Sequence, residues 1–178
     1  EILLNSGSSI TLRLATVFGH SNRPRFDLVV NAFAKNAYYD KSLTVYGGDQ
    51  WRPNVHVKDV ARAIIKVINS PLHKVGKEVF NVGSNDENYT IKNLSELAKT
   101  VFQDCKVNFD TANSDKRNYR VDFSKLSDIL NFNCNYSIIE GLEELKNIFE
   151  SGYITEPNNK KYSNIQTLVE RGLYEHQN

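Results

Sequence analysis

Residues 10–18, Ile-Thr-Leu-Arg-Leu-Ala-Thr-Val-Phe, form an apolar, β-prone run that Gly19 closes. A run of this kind reads as a buried strand that ends in a loop. Strands buried on both faces belong to parallel sheets covered by helices. The rest of the chain agrees with that constraint, because strand-like and helix-like stretches alternate. Phe26 to Tyr39 predicts a helix, with Leu28, Val29, Ala32, Phe33 and Ala37 on one stripe. Asp27 falls in its first turn, where a carboxylate favours the dipole. Ser42 to Tyr46 predicts a short strand stopped by Gly47-Gly48-Asp49, and Trp51 to Val57 an extended stretch, as Pro53 requires of the residue before it. Lys58 to Asn69 predicts a helix with Val60, Ala61, Ile64, Ile65 and Ile68 inward, and Pro71 follows its end.

Glu78 to Val82 is a further strand, followed by the turn Gly83-Ser84-Asn85-Asp86. Thr90 caps a helix whose stripe is Ile91, Leu94, Leu97, Ala98, Val101 and Phe102. Lys106 to Phe109 and Tyr119 to Asp122 read as short strands, and Ser124 caps a brief helix to about Leu130. Ser137-Ile138-Ile139-Glu140 is a capping box for a helix that runs to about Glu150, with Gly152 as its stop. From Tyr153 the chain is polar, with a short helix near 165–171; residues 153–178 read as a weakly packed tail on a unit spanning 1–152. The fold class is α/β.

The charges nearly cancel, at 22 basic against 21 acidic residues, so nothing argues for a nucleic acid or a membrane surface as partner. No apolar run approaches the roughly 20 residues that span a bilayer, and Glu1-Ile2-Leu3-Leu4 lacks the basic start of a signal peptide. The two cysteines, Cys105 and Cys134, have no metal-type spacing and read as reduced thiols of a cytoplasmic protein. The four histidines are scattered, so no metal site is expected. The chain has no methionine and begins at Glu1, which reads as a fragment of something longer.

No G-x-G-x-x-G turn follows a strand, no Walker loop is present, and no Ser-His-Asp set or nucleophilic cysteine can be argued from spacing. Arg52 is the one side chain whose setting asks for an explanation. It lies between bulky Trp51 and Pro53, which limit its freedom. A guanidinium so placed either pairs with a nearby acid such as Asp49 or Asp59, or grips a phosphate with its planar fork of donors. From the residues alone the reading stops at an α/β domain with an anion-binding arginine.

LRLATVFG (12–19) resembles the L-R-x-x-N-V-Y-G stretch of extended short-chain dehydrogenases/reductases, the NAD-dependent nucleotide-sugar epimerases and dehydratases. RFDLVVNAFA (25–34), LTVYGGDQWRPNVHVKDVARAI (43–64), EVFNVGS (78–84), YRVDFSKLSDILNF (119–132) and SIIEGLEEL (137–145) follow in the order of that family. The resemblance implies a C-terminal half: the last strands of a Rossmann-like cofactor sheet plus the small mixed α/β substrate-binding domain. Glu1 to Leu4 would be the last turn of the helix carrying the catalytic Tyr-x-x-x-Lys pair. That pair and the Gly-rich turn for NAD or NADP would lie in a missing N-terminal half, so no catalytic residue is expected in this chain and no activity from it alone.

The same resemblance implies the site. Arg52 falls where the family contacts the diphosphate of a nucleotide sugar. Thr44 and Tyr46 fall on the strand that lines the base, and alternation puts both on one face. Tyr46 either stacks on a pyrimidine or is a half-buried strand tyrosine. Asp27 and Leu28 match the helix start that holds the nucleotide through backbone N–H groups; the carboxylate of Asp27 would oppose an anion. Leu14 and Val17 match positions near the nicotinamide, or pack in the core. Thr16 stands where the family often has an asparagine that contacts phosphate or sugar. A second family arginine would fall near Ala112, with Arg117 or Arg120 as substitutes. The whole protein would be an isomerase, lyase or oxidoreductase, and a homo-oligomer. The alternatives are a non-catalytic nucleotide-sugar-binding or regulatory module, or a dimerisation module.

Overall fold

The computed structural model describes residues 9–110 and 117–173. Seven strands and seven α-helices are described: β1 Thr11–Leu14, β2 Thr16–Phe18, α1 Val29–Lys35, β3 Ser42–Tyr46, β4 Trp51–His56, α2 Val57–Ile68, α3 Leu72–Val75, β5 Val79–Val82, β6 Asn88–Thr90, α4 Ile91–Val101, β7 Lys106–Asp110, α5 Ser124–Leu130, α6 Ile138–Glu150 and α7 Asn164–Glu170. The expected α/β class holds, with parallel pairing throughout except for one pair.

The run 10–18 is two strands rather than one. β1 pairs in parallel with β5, from Thr11 opposite Val79 to Leu14 opposite Val82. Ala15 gives its N–H to the Val82 carbonyl at 3.0 Å, and the chain then changes partner. β2 pairs in parallel with β4, placing Thr16 opposite Asn54. β4 is paired antiparallel on its other side with β6, Arg52 opposite Tyr89 and Pro53 opposite Asn88. β3 and β7 form a separate parallel pair. A single apolar run thus serves two sheets, which its hydrophobicity alone does not reveal.

One buried cluster lies among α1, β3, α4 and α6, and includes Phe18, Phe33, Leu94, Leu142 and Phe149. A second lies between the β1–β5 pair, α2 and α5, and includes Val60, Ala63, Phe80, Val82 and Leu126. α6 crosses close to β2 at Gly141, where a Cβ would come within 2.4 Å of the Phe18 ring. His56 at the end of β4 ties the same helix down. Its Nδ1 accepts the Lys58 N–H at 3.2 Å, so the ring proton sits on Nε2, 3.0 Å from Glu144 Oε2. Burial holds the His56 pKa down, against the pull of Glu144, and Glu144 also pairs with Lys58.

Local signals hold well. The Thr90 hydroxyl accepts the Asn93 N–H, and both bonds of the Ser137–Glu140 capping box are present. Gly152 follows α6 at φ +72°.

Other expectations are corrected by tertiary contacts. α1 begins only at Val29, because Leu28 is extended, so Asp27 lies outside the first turn. The helix then ends in a π turn over Asn36–Asp40. α2 buries Val60, Ala63 and Val67, while Ala61, Ile64, Ile65 and Ile68 face outward. Residues 119–122 form no strand. Ser124 does not cap α5; its N–H and hydroxyl both donate to Asp122 Oδ1, at 3.0 and 2.6 Å. The segment after Tyr153 is anchored at two points, since Ile154 and Tyr162 are buried in the first cluster and Phe26 N–H meets the Tyr162 carbonyl at 2.9 Å, while α7 buries no side chain. The expectations for Glu1 to Leu4 and for Ala112 lie outside the described residues.

Candidate functional site

The partner change at Ala15 lays β2 beside β4, and this puts Thr16 and Arg52 on adjoining strands. β3 runs nearby with Leu43 and Val45 buried, and so turns Thr44 and Tyr46 to the other face, as alternation requires. The start of α1 supplies Asp27 and Leu28, and residues 117–119 cross from the far side. These elements enclose one cavity of about 470 Å³. Its lining includes Thr16, Asp27, Leu28, Thr44, Tyr46, Arg52 and Arg117, all of the substrate-side residues expected from the sequence.

Arg52 is 8% exposed. Its Nη1 donates to the backbone carbonyls of Trp51, at 2.8 Å, and of Arg117. The Tyr119 ring lies 5.5 Å from the guanidinium, in cation–π range. Asp59, considered above as a partner for Arg52, is instead committed to Arg62 and to the backbone N–H groups of Asn135 and Tyr136. A guanidinium carries a fixed positive charge, and this one lies in the cavity wall.

Asp27 does not oppose that charge pattern. Burial pushes its pKa up, but the two-point Arg25 contact, at 2.9 Å for each bond, and the Asn164 N–H outweigh this and hold it below the usual carboxylate range. The carboxylate is thus spent on Arg25 and on the start of α7. Tyr46 is exposed, with its ring available at the rim.

The two cofactor-side residues do not join this lining. Leu14, at the end of β1, lines a neighbouring cavity of about 390 Å³ with Arg13, Ala15, Pro53 and Arg120. Val17 packs against the second core cluster, as the core alternative had it. Tyr119 lines both cavities and is the wall they share. Sequence reasoning missed Tyr119 and Gln50, which also lines the first cavity. Tyr119 opens the stretch 119–132 quoted above, but its place in the wall depends on how residues 117–123 cross the sheet. Among the described residues no group of three or more His, Cys, Asp or Glu side chains is placed to hold a metal.

Residues 5–83 match the model of the NAD dependent epimerase/dehydratase family. The match takes in every site residue named above except Arg117, Tyr119 and Arg120. Over 161 residues, 86% of the chain, it is 28% identical to UDP-glucuronic acid decarboxylase 1 of Arabidopsis thaliana, of which it covers 36%. The UDP-glucuronic acid 4-epimerase of Bacillus cereus, solved with UDP-glucuronic acid and NAD, superposes with a TM-score of 0.65 at 26% identity, over 79% of this chain and 46% of that one. RMD of Pseudomonas aeruginosa, solved with NADPH, superposes with a TM-score of 0.71 at 20% identity, over 84% and 52%. The chain therefore spans between about a third and a half of the length of these relatives.

Proposed function

We propose that the chain belongs to the NAD-dependent epimerase/dehydratase family, whose model matches residues 5–83, and that it is the substrate-binding half of an NAD(P)-dependent nucleotide-sugar epimerase or dehydratase. The observation that carries this reading is the convergence of Thr16, Thr44, Tyr46, Arg52 and Arg117 on one cavity. Arg52 supplies the charge that a diphosphate needs. Because its side chain is already held by the Trp51 and Arg117 carbonyls, little rotamer entropy is lost on binding. Tyr46 at the rim offers a ring face to a base, and the Thr16 hydroxyl can donate to a phosphate or sugar oxygen. Asp27 and Leu28 contribute wall rather than charge.

The chain does not hold a dinucleotide by itself. Its sequence has neither a Gly-rich turn after a strand nor a Tyr-x-x-x-Lys pair, so no catalytic step is assigned to it. Leu14 is the residue we place against a cofactor, with the remainder of NAD or NADP held by a partner half. On this reading the chain alone is inactive and its partners are a nucleotide-diphosphate sugar, the cofactor half and further copies of the whole protein. The lack of the catalytic pair equally favours a second reading, a non-catalytic nucleotide-sugar-binding module. A Tyr-x-x-x-Lys pair in the coding sequence upstream of Glu1 would decide for the first.

Calorimetric titration with UDP-, dTDP- and GDP-sugars tests the site. One of the three should bind in the micromolar range, and Arg52→Ala should weaken it by about 2–4 kcal/mol, the scale of a lost buried charged contact. A folded chain that binds none of them, or an Arg52→Ala variant with unchanged affinity, would overturn the assignment.

A further inference from the structure

Residues 117–123 cross the ends of β4 and β6 without forming a strand, yet almost every attachment is specific. The reason lies in Pro53, which has no N–H to offer a neighbour. Asparagine side chains do the pairing instead. Asn88, in β6 directly opposite Pro53, is 8% exposed. Its Oδ1 accepts the Val121 N–H at 3.1 Å, and its Nδ2 donates to the Val121 carbonyl at 3.1 Å and to the Asn85 carbonyl at 3.1 Å. A carboxamide carries one acceptor and two donors, so it reproduces the bond pair that a neighbouring strand would make. Asn118 accepts the Trp51 N–H at 3.0 Å, and Asn85 accepts the Phe123 N–H at 3.0 Å.

What this strap carries is the wall of the candidate site. The Arg117 carbonyl receives Arg52, the Tyr119 ring covers it, and Arg120 stacks on Trp51 at 4.4 Å. The register places Asn88 one residue from the Arg52–Tyr89 pair.

We propose that Asn88 is a positioning residue for the anion site: it clamps the strap so that Arg117 and Tyr119 hold the Arg52 guanidinium in the cavity wall. This rests on the nucleotide-sugar reading of that cavity. Asn88 touches no ligand itself and acts through Arg52.

The chain has one tryptophan, and it lies under the strap. The test compares wild type, Asn88→Ala and Asn118→Ala, each as the full chain, by titration with UDP, dTDP and GDP and by acrylamide quenching of Trp51. Asn118 is exposed, so its variant keeps the test alive should Asn88→Ala fail to fold. Val75→Ala, in the second core cluster, serves as a variant that loses stability without touching the strap. The expected result is about tenfold weaker nucleotide binding in Asn88→Ala and about threefold in Asn118→Ala, with faster quenching in both and unchanged affinity in Val75→Ala. Wild-type binding with the same affinity in the strap variants would overturn the proposal alone. Wild type that binds none of the three nucleotides would overturn the reading of the cavity, and the proposal with it.

Discussion

Arg52 and Glu87 show how the same sheet treats two ionisable side chains. Arg52 is buried with its guanidinium donating to two backbone carbonyls. Glu87 is half-buried, with its Oε2 out of reach of any partner, and burial pushes its pKa up to about 7, against the Ile138 N–H at the start of α6. Asp86, Glu140 and Asp59 add to the rise. The folded state therefore binds this proton more tightly than the unfolded chain does. The stability it contributes is full below the ordinary carboxyl value of 4.5 and is lost as pH rises through about 7. Glu87→Gln should accordingly be more stable than wild type at pH 8, by on the order of 1–2 kcal/mol after discounting the part that water reaches. The gap should close near pH 4.5. Urea unfolding at several pH values reads this directly, and a gap that is constant with pH would refute it. Arg52 was legible because its flanks constrain it within three residues. Glu87 was not, because the Ile138 N–H and the Asp59 and Glu140 carboxylates that act on it are distant in the sequence.

At the scale of elements the same division holds. Thr90 and the Ser137 box cap their helices as expected, since each cap bonds only to residues three positions on. The faces of α2 were less legible. Val60 lies inward, but Ile64, Ile65 and Ile68 have helical spacing too, and periodicity cannot say which of two apolar stripes the sheet covers. Asp59 explains how α2 reaches beyond its own sheet. It is fully buried, pairs with Arg62, and accepts the N–H groups of Asn135 and Tyr136 at 3.0 Å. It thereby fixes the loop that delivers Ser137 to α6. Asp59→Ala leaves two backbone donors and Arg62 without this acceptor, which should cost about 2–4 kcal/mol. Thermal unfolding would measure it, and a loss below about 0.5 kcal/mol, the ordinary range for surface changes, would show that the loop is held by other contacts.

For the whole molecule, the strands at 10–18 and 78–82 were legible, but the split of the first run between two sheets, and what lies beside the β1–β5 pair, were not. Among the described residues β1 pairs with β5 alone, so a parallel sheet of two strands ends there. Parallel sheets are ordinarily covered on both faces and flanked by further strands. The outer stripe of α2 points the same way. Ile65 is 58% exposed and Ile68 73%, with Ile64 and Leu72 beside them. Four large aliphatic side chains exposed on α2 and the start of α3 make a surface that water disfavours. On the proposed reading a cofactor half would cover it. In the isolated chain a second copy is the available cover, so the chain should self-associate at micromolar concentration. Sedimentation velocity across a dilution series should show a concentration-dependent shift to larger species. Ile65→Lys with Ile68→Lys should reduce that shift while leaving thermal stability nearly unchanged, because neither side chain is packed in the core. A wild-type chain that sediments as a single monomer at every concentration would mean that this edge and stripe are stable in water as they stand, and would remove the main physical argument for a partner half.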